Sequence, residues 1–138
     1  MCEAHLMSSV QVADQTFVAA PGSAVAESLG HPRRWRRWWP DLRIDVTDDR
    51  ADKGFRWSVE GALTGTMEVW LEPVPKLDGV VLHYFLHAEP AVRTSIDLAA
   101  ENQRRRVAGK AMAFEVKREL EAGRAAGERP LCEPPAIV

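Results

Sequence analysis

Residues 31–42 read HPRRWRRWWPDL, four arginines and three tryptophans in twelve residues. At helical spacing Trp35, Trp38, Trp39 and Leu42 fall at i, i+3, i+4 and i+7, on one side of a short helix over 31–39 that Pro40 ends. Arg33, Arg36 and Arg37 then point away from that side. Two readings compete. Arginine interleaved with tryptophan suits stacking on bases or sitting at a membrane interface. The same pattern also suits a lid whose indoles close an apolar interior while its arginines stay on the outer surface. The acidic run DVTDDRAD (45–52) just downstream would cancel a broad basic field, and the chain's formal net charge is −2, so the lid reading is preferred.

On the N-terminal side of this stretch, 21–30 (PGSAVAESLG) reads as a short helix with Pro21 or Ser23 at its start and Gly30 as its stop. Residues 9–17 (SVQVADQTF) read as a first strand. On the C-terminal side four strand-like runs follow, at 43–47, 55–60, 63–73 and 80–89. Turn-like links DDRADKG, GA and VPKLDG join them into antiparallel hairpins. Alternation places Phe55, Trp57 and Val59 on one face and Arg56 and Glu60 on the other. Met67, Val69 and Leu71 share a face in the third run, as do Leu82, Tyr84 and Leu86 in the fourth. The proline-free stretch of about 95–123 reads as a long helix, with Gly123 as its stop signal. Val107, Ala111, Phe114, Val116 and Leu120 are expected to face inward from it. The fold class is therefore α+β: an antiparallel sheet curling around a long C-terminal helix, with two short helices after the first strand.

With 138 residues, 46% of them hydrophobic, the chain is expected to form one domain over 8–123. Residues 1–7 read as a disordered or alternative-start N-terminus, Met7 being a second candidate start. Residues 124–138 read as a flexible, proline-rich tail. The two cysteines, Cys2 and Cys132, lie near opposite ends, which points to reduced thiols and a cytoplasmic setting. No stretch has the roughly 20 apolar residues that span a bilayer.

The AAPGSAVAESL segment, the WRRWWPDL–RIDVTDD passage and the strand pair TMEVWLEPV and GVVLHYFLHAE before the last helix together resemble the START-like (SRPBCC, Bet v 1-like) superfamily. Its polyketide cyclase/dehydrase and lipid-transport members are the nearest in pattern. The resemblance covers roughly residues 8–122 and implies a helix-grip fold with a hydrophobic ligand pocket. Family members usually carry six strands between the short helices and the long one. Four are counted here, so a central hairpin is missing and the cavity is expected to shrink. The fold alone implies no reaction.

Catalytic signals are sparse. His83 and His87 share a strand face about 13 Å apart, too far to hold one ion. They are expected to pair across the hairpin with Glu68 and Glu72, with Trp70 opposite Phe85. His31 reads as a helix-entry residue. The cluster at 103–106 (QRRR) reads as a solvated face, with Glu101 as a partner. No phosphate-cradling, zinc-protease or nucleophile-elbow motif is present, and no metal or cofactor is expected. The expected ligand-facing residues are Trp35, Trp38, Trp39, Phe55, Trp57, Met67, Val69, Leu82, Tyr84, Leu86, Ala111 and Phe114, with the Tyr84 hydroxyl as an orienting donor. The alternative is that all of them simply make core.

Three functions stay open. The first is binding of a small hydrophobic ligand, lipid or polyketide-like, without catalysis. The second is a cyclase/dehydrase-type enzyme using Tyr84 or a histidine to move a proton. The third is an interaction module, a homodimer included, using Trp70 and Phe85 on the outer sheet face.

Overall fold

The structure is a computed structural model and describes residues 8–92 and 97–122. The expectations for 1–7 and 124–138, and for Gly123, lie outside the described residues. The elements follow the expected order. Strand β1 (Val10–Val18) is followed by helices α1 (Gly22–Leu29) and α2 (Pro32–Trp38), then strands β2 (Leu42–Asp49), β3 (Gly54–Gly61), β4 (Leu63–Val74) and β5 (Gly79–Pro90), and finally helix α3 (Leu98–Glu121). The five strands form one antiparallel sheet in the order β1-β5-β4-β3-β2. Strands β2 to β5 are a meander, and β1 closes onto β5 rather than onto β2. Edge strand β2 is covered only at its start, at Leu42 and Ile44, and its pairing with β3 slips by one residue between Val46 and Asp48.

Alternation places the concave face as expected. Phe55, Trp57 and Val59 on β3, Met67, Val69 and Leu71 on β4, and Leu82, Tyr84 and Leu86 on β5 are all buried. Cross-strand register lines them up: Trp57 opposite Met67 and Met67 opposite Leu86, with Phe55 opposite Val69 and Val69 opposite Tyr84. Arg56 and Glu60 are exposed on the other face.

Helix α3 covers the concave face and contacts β1, α1 and α2; Val116 and Leu120 face inward as expected, but Val107, Ala111 and Phe114 do not. Its buried positions are Glu101, Arg105, Gly109, Met112, Ala113, Val116 and Glu121, with Leu120 partly buried against the core. Ala111 is exposed, and Val107 (56%) and Phe114 (48%) lie largely in solvent. At about 100° per residue, Val107, Ala111 and Phe114 sit nearly opposite Gly109. Close packing sets the rotation: a Cβ at Gly109 would lie 2.5 Å from the Tyr84 ring, so only a residue without a side chain lets the helix approach there. The helix starts at Asp97, whose side chain accepts from the Ala100 N–H, an N-cap. Ala122, in the left-handed region at φ 53°, ends it.

The outer-face register also differs from expectation. Trp70 stands opposite His83, and Phe85 stands opposite Glu68. Alternation fixes the face of each residue, whereas register is set by the turn, here a short 3-10 segment (Pro75–Leu77) closed by left-handed Asp78.

Candidate functional site: an aromatic interior beneath a clasped helix

The tryptophan-arginine stretch 31–42 builds the site. Pro32 starts α2 after His31, a position where the missing N–H costs nothing. Trp35 and Trp38 are buried on its inner face, and Trp39, just past its end at φ −132° and ψ 73°, leaves helical conformation and turns fully inward. Six rings then run in contact. Trp38 meets Trp39 edge-on at 5.7 Å, and Trp39 stacks on Tyr84 at 6.2 Å and 10°. Trp57 lies 6.1 Å from Trp39 and 5.7 Å from each of Trp35 and Phe55.

This cluster fills the space in which an open cavity was expected. Trp57 is 0%, Trp39 1% and Tyr84 2% exposed. A water-sized void would leave accessible area on its walls, so these side chains touch protein on all sides. Met67, Val69, Leu82 and Leu86 are equally enclosed and form the back wall. The five-stranded sheet has closed onto its own aromatic residues.

Open space lies instead on either side of Trp35. A groove of about 500 Å³ between α1 and the β2–β3 hairpin has Ala26, Trp35, Val46 and Phe55 as its floor, with Glu27, His31, Asp49 and Asp52 at its rim. A second, of about 270 Å³, is lined by Pro32, Trp35, Pro40, Leu42 and Ile44. Trp35 and Phe55 thus form the wall between the larger groove and Trp57 behind them.

The arginines do not all point to solvent, as the lid reading supposed. Two of them clasp α2 onto α3. Arg34 makes a two-pronged pair with Glu119 at 2.9 and 2.8 Å, and Ser28 donates to the same carboxylate at 2.8 Å. Arg37 does the same with Glu115 at 2.8 and 2.6 Å, and the Trp38 indole donates to Glu115 at 2.9 Å. Such bidentate, charge-assisted pairs are the strong kind. The Arg37 hydrogen bond, first among the causes, pulls the Glu115 carboxyl down to about 2. Arg34 lowers Glu119 in the same way.

A third tie lies at the other end of the cluster, of which sequence reading found only the Glu101 pairing. Arg105, expected in solvent, is buried. It donates to both Asp41 oxygens at 2.9 and 2.6 Å and to Glu101 at 2.8 Å, and Arg104 also binds Glu101. Arg105 joins the turn after Pro40 to the first half of α3. The signal for the Asp41 bond was an aspartate following the tryptophan-proline turn.

Tyr84 is the one ionisable group of the inner cluster. Its hydroxyl donates to the Met67 sulfur at 3.2 Å, and burial drives its pKa far above the ordinary tyrosine value. Nearby Arg105 and the adjacent Trp39 indole oppose this only in part, and the Trp39 N–H makes no hydrogen bond of full geometry. Tyr84 therefore stays a neutral donor. The histidines lie elsewhere: His83 on the outer sheet face, stacked on Trp70 at 4.6 Å and bonded to Glu72 at 2.9 Å, His87 opposite Thr66 and His31 at the groove rim. Among the described residues no group of three or more His, Cys, Asp or Glu side chains is placed to hold a metal ion. No helix among them is long and apolar enough to cross a membrane.

No protein-family profile and no curated protein sequence matches the chain. Solved structures do. The Aha1 dimer protein from Colwellia psychrerythraea is 15% identical over 84% of this chain and 99% of its own, with a TM-score of 0.59. A Polyketide_cyc-like protein from Corynebacterium glutamicum is 18% identical over 81% of this chain and 91% of its own, with a TM-score of 0.54. CalU16 from Micromonospora echinospora is 15% identical over 79% and 77%, with a TM-score of 0.55. At these identities the likeness speaks for architecture, and it agrees with a curved antiparallel sheet, two short helices after β1 and a long C-terminal helix. The chain has an α+β, helix-grip-like fold, in a five-stranded form.

Proposed function

We propose that the protein binds a small hydrophobic ligand, lipid or polyketide-like, between the sheet and α3, and that α2 is the gate. The observation that carries this reading is the position of Trp35, with an open groove on one side and the aromatic cluster on the other. A ligand resting on Trp35 and Phe55 reaches Trp57, Trp39 and Tyr84 once that wall swings aside. Ligand sites are typically about 300–1,000 Å³ and mostly apolar with a few polar groups, and the groove of about 500 Å³ falls within that range. Loading needs α2 to lift, which means parting the Arg34–Glu119 and Arg37–Glu115 clasps, a gating step of the kind lids perform. Of the residues expected to line the site, Ala111 and Phe114 take no part, because they face outward.

Catalysis of the cyclase type has less support, since the histidines lie outside the interior and a neutral, buried Tyr84 is no base near pH 7. The end-placed cysteines favour work in a reducing cytoplasm. The experiment is native mass spectrometry of the purified protein, with organic extraction and with added fluorene. A bound apolar species or a 1:1 fluorene adduct is expected; a bare mass under all conditions refutes the reading.

A second reading, a homodimer through the outer sheet face, is favoured by Trp70. It is 41% exposed and caps a stack in which His83 and Phe85 lie 6.3 Å apart and parallel within 1°. Sedimentation equilibrium tests it: a monomer at all concentrations removes it.

A further inference from the structure

Five tryptophans give the chain five indole donors. Trp35 donates to the Leu29 carbonyl at 2.6 Å and Trp38 to Glu115 at 2.9 Å, while Trp70 is open to solvent. The remaining two, Trp39 Nε1 and Trp57 Nε1, are buried with no acceptor. They belong to adjacent rings of the same cluster, 6.1 Å apart. The third polar group there, the Tyr84 hydroxyl, has only the Met67 thioether to donate to, and sulfur is a weak acceptor.

Buried donors are normally satisfied, and leaving one unmade costs about 1–3 kcal/mol. Phenylalanine at 39 and 57 would keep stacked rings in the core without that cost. The inner cluster therefore holds three donors, and its one oxygen, the Tyr84 hydroxyl, receives neither indole in a full hydrogen bond. We infer that Trp39 and Trp57 form the polar end of the ligand site, and that the ligand is an apolar molecule carrying a neutral carbonyl oxygen, as in a ketone or ester. This rests on the ligand-binding reading above and names the chemistry of the same site. A carboxylate is disfavoured. The cations beside the cluster, Arg37 and Arg105, are already matched by Glu115 and by Asp41 and Glu101, and an unpaired anion buried among rings would be costly.

Fluorene and fluorenone test this as a pair, being tricyclic molecules of nearly one shape that differ by a carbonyl. Their dissociation constants are measured with the whole chain, then with Trp39→Phe and Trp57→Phe, each checked for folding by circular dichroism. Fluorenone, although the more water-soluble, is expected to bind the unmodified protein roughly tenfold more tightly, the value of about one well-made hydrogen bond. In either variant the ratio falls toward one. Equal affinities in the unmodified protein, or a preference that survives both substitutions, overturn the inference and leave ligand binding standing. If neither compound binds, the ligand-binding reading itself fails and the inference falls with it.

Discussion

Replacing Glu115 by Gln removes one charge from the clasp while keeping an oxygen in place for Arg37 and Trp38. The Glu115 carboxyl sits at about 2 against the ordinary 4.5. One pKa unit corresponds to about 1.4 kcal/mol, so the full shift would be worth about 3 kcal/mol. The pair is partly solvated, with the Glu115 side chain 27% and Arg37 57% exposed, and screening brings the expected loss to about 1 kcal/mol. The sign follows from linkage. A carboxyl depressed in the folded state adds stability that is complete above its unfolded pKa and is lost as pH falls through the folded one. Urea denaturation of the unmodified protein and Glu115→Gln should therefore differ by about 1 kcal/mol at pH 7. That gap should narrow by half or more by pH 3. Hydrogen exchange at α2 amides should quicken in the variant while exchange in β4 and β5 does not, because the clasp holds the helix and not the sheet. Equal stability at pH 7, or a gap independent of pH, would refute the clasp.

Gly109→Ala should destabilise despite the better helix propensity of alanine. Its methyl would meet the Tyr84 ring at 2.5 Å, and overpacking of about 1–3 kcal/mol outweighs a gain of about 1; a raised Tm would contradict this. Arg105→Ala takes one partner from buried Glu101 and leaves it Arg104, so the loss in urea denaturation should be about 2 kcal/mol, below the about 3–5 of a buried pair broken outright. A loss below about 1 kcal/mol would show that water reaches Glu101 freely. The chain has one tyrosine, so absorbance at 295 nm reports Tyr84 alone. Because burial raises its pKa, no phenolate should form near pH 10, where a free tyrosine is half ionised, until the protein unfolds; a normal titration would mean that the interior is wet.

Much of this architecture was legible in local pattern. The i, i+3, i+4 spacing of the tryptophans fixed their common face, and period-two alternation fixed which residues of β3, β4 and β5 point inward. The orientation of α3 was legible only toward its end, where Val116 and Leu120 face inward as expected; further up, its inward stripe runs through Glu101, Arg105, Gly109 and Ala113, charged or small, while Val107 and Phe114 face out. Hydrophobic pattern assumes that burial follows apolarity. Here a salt-bridged arginine and a glycine under a phenol ring reverse it. The arginine clasps were hidden for a different reason: Arg34 and Glu119 lie 85 residues apart, and only the fold brings them together.

The central claim is that a ligand enters beneath α2 and reaches Trp39 and Trp57. The most direct measurement is a proton–nitrogen NMR titration of the five indole N–H signals with fluorenone, assigned through single Trp→Phe substitutions. The account predicts that the Trp39 and Trp57 signals move with Trp35, while Trp70 on the outer face stays still. Movement of Trp70 alone, or of no indole at saturating fluorenone, would contradict it.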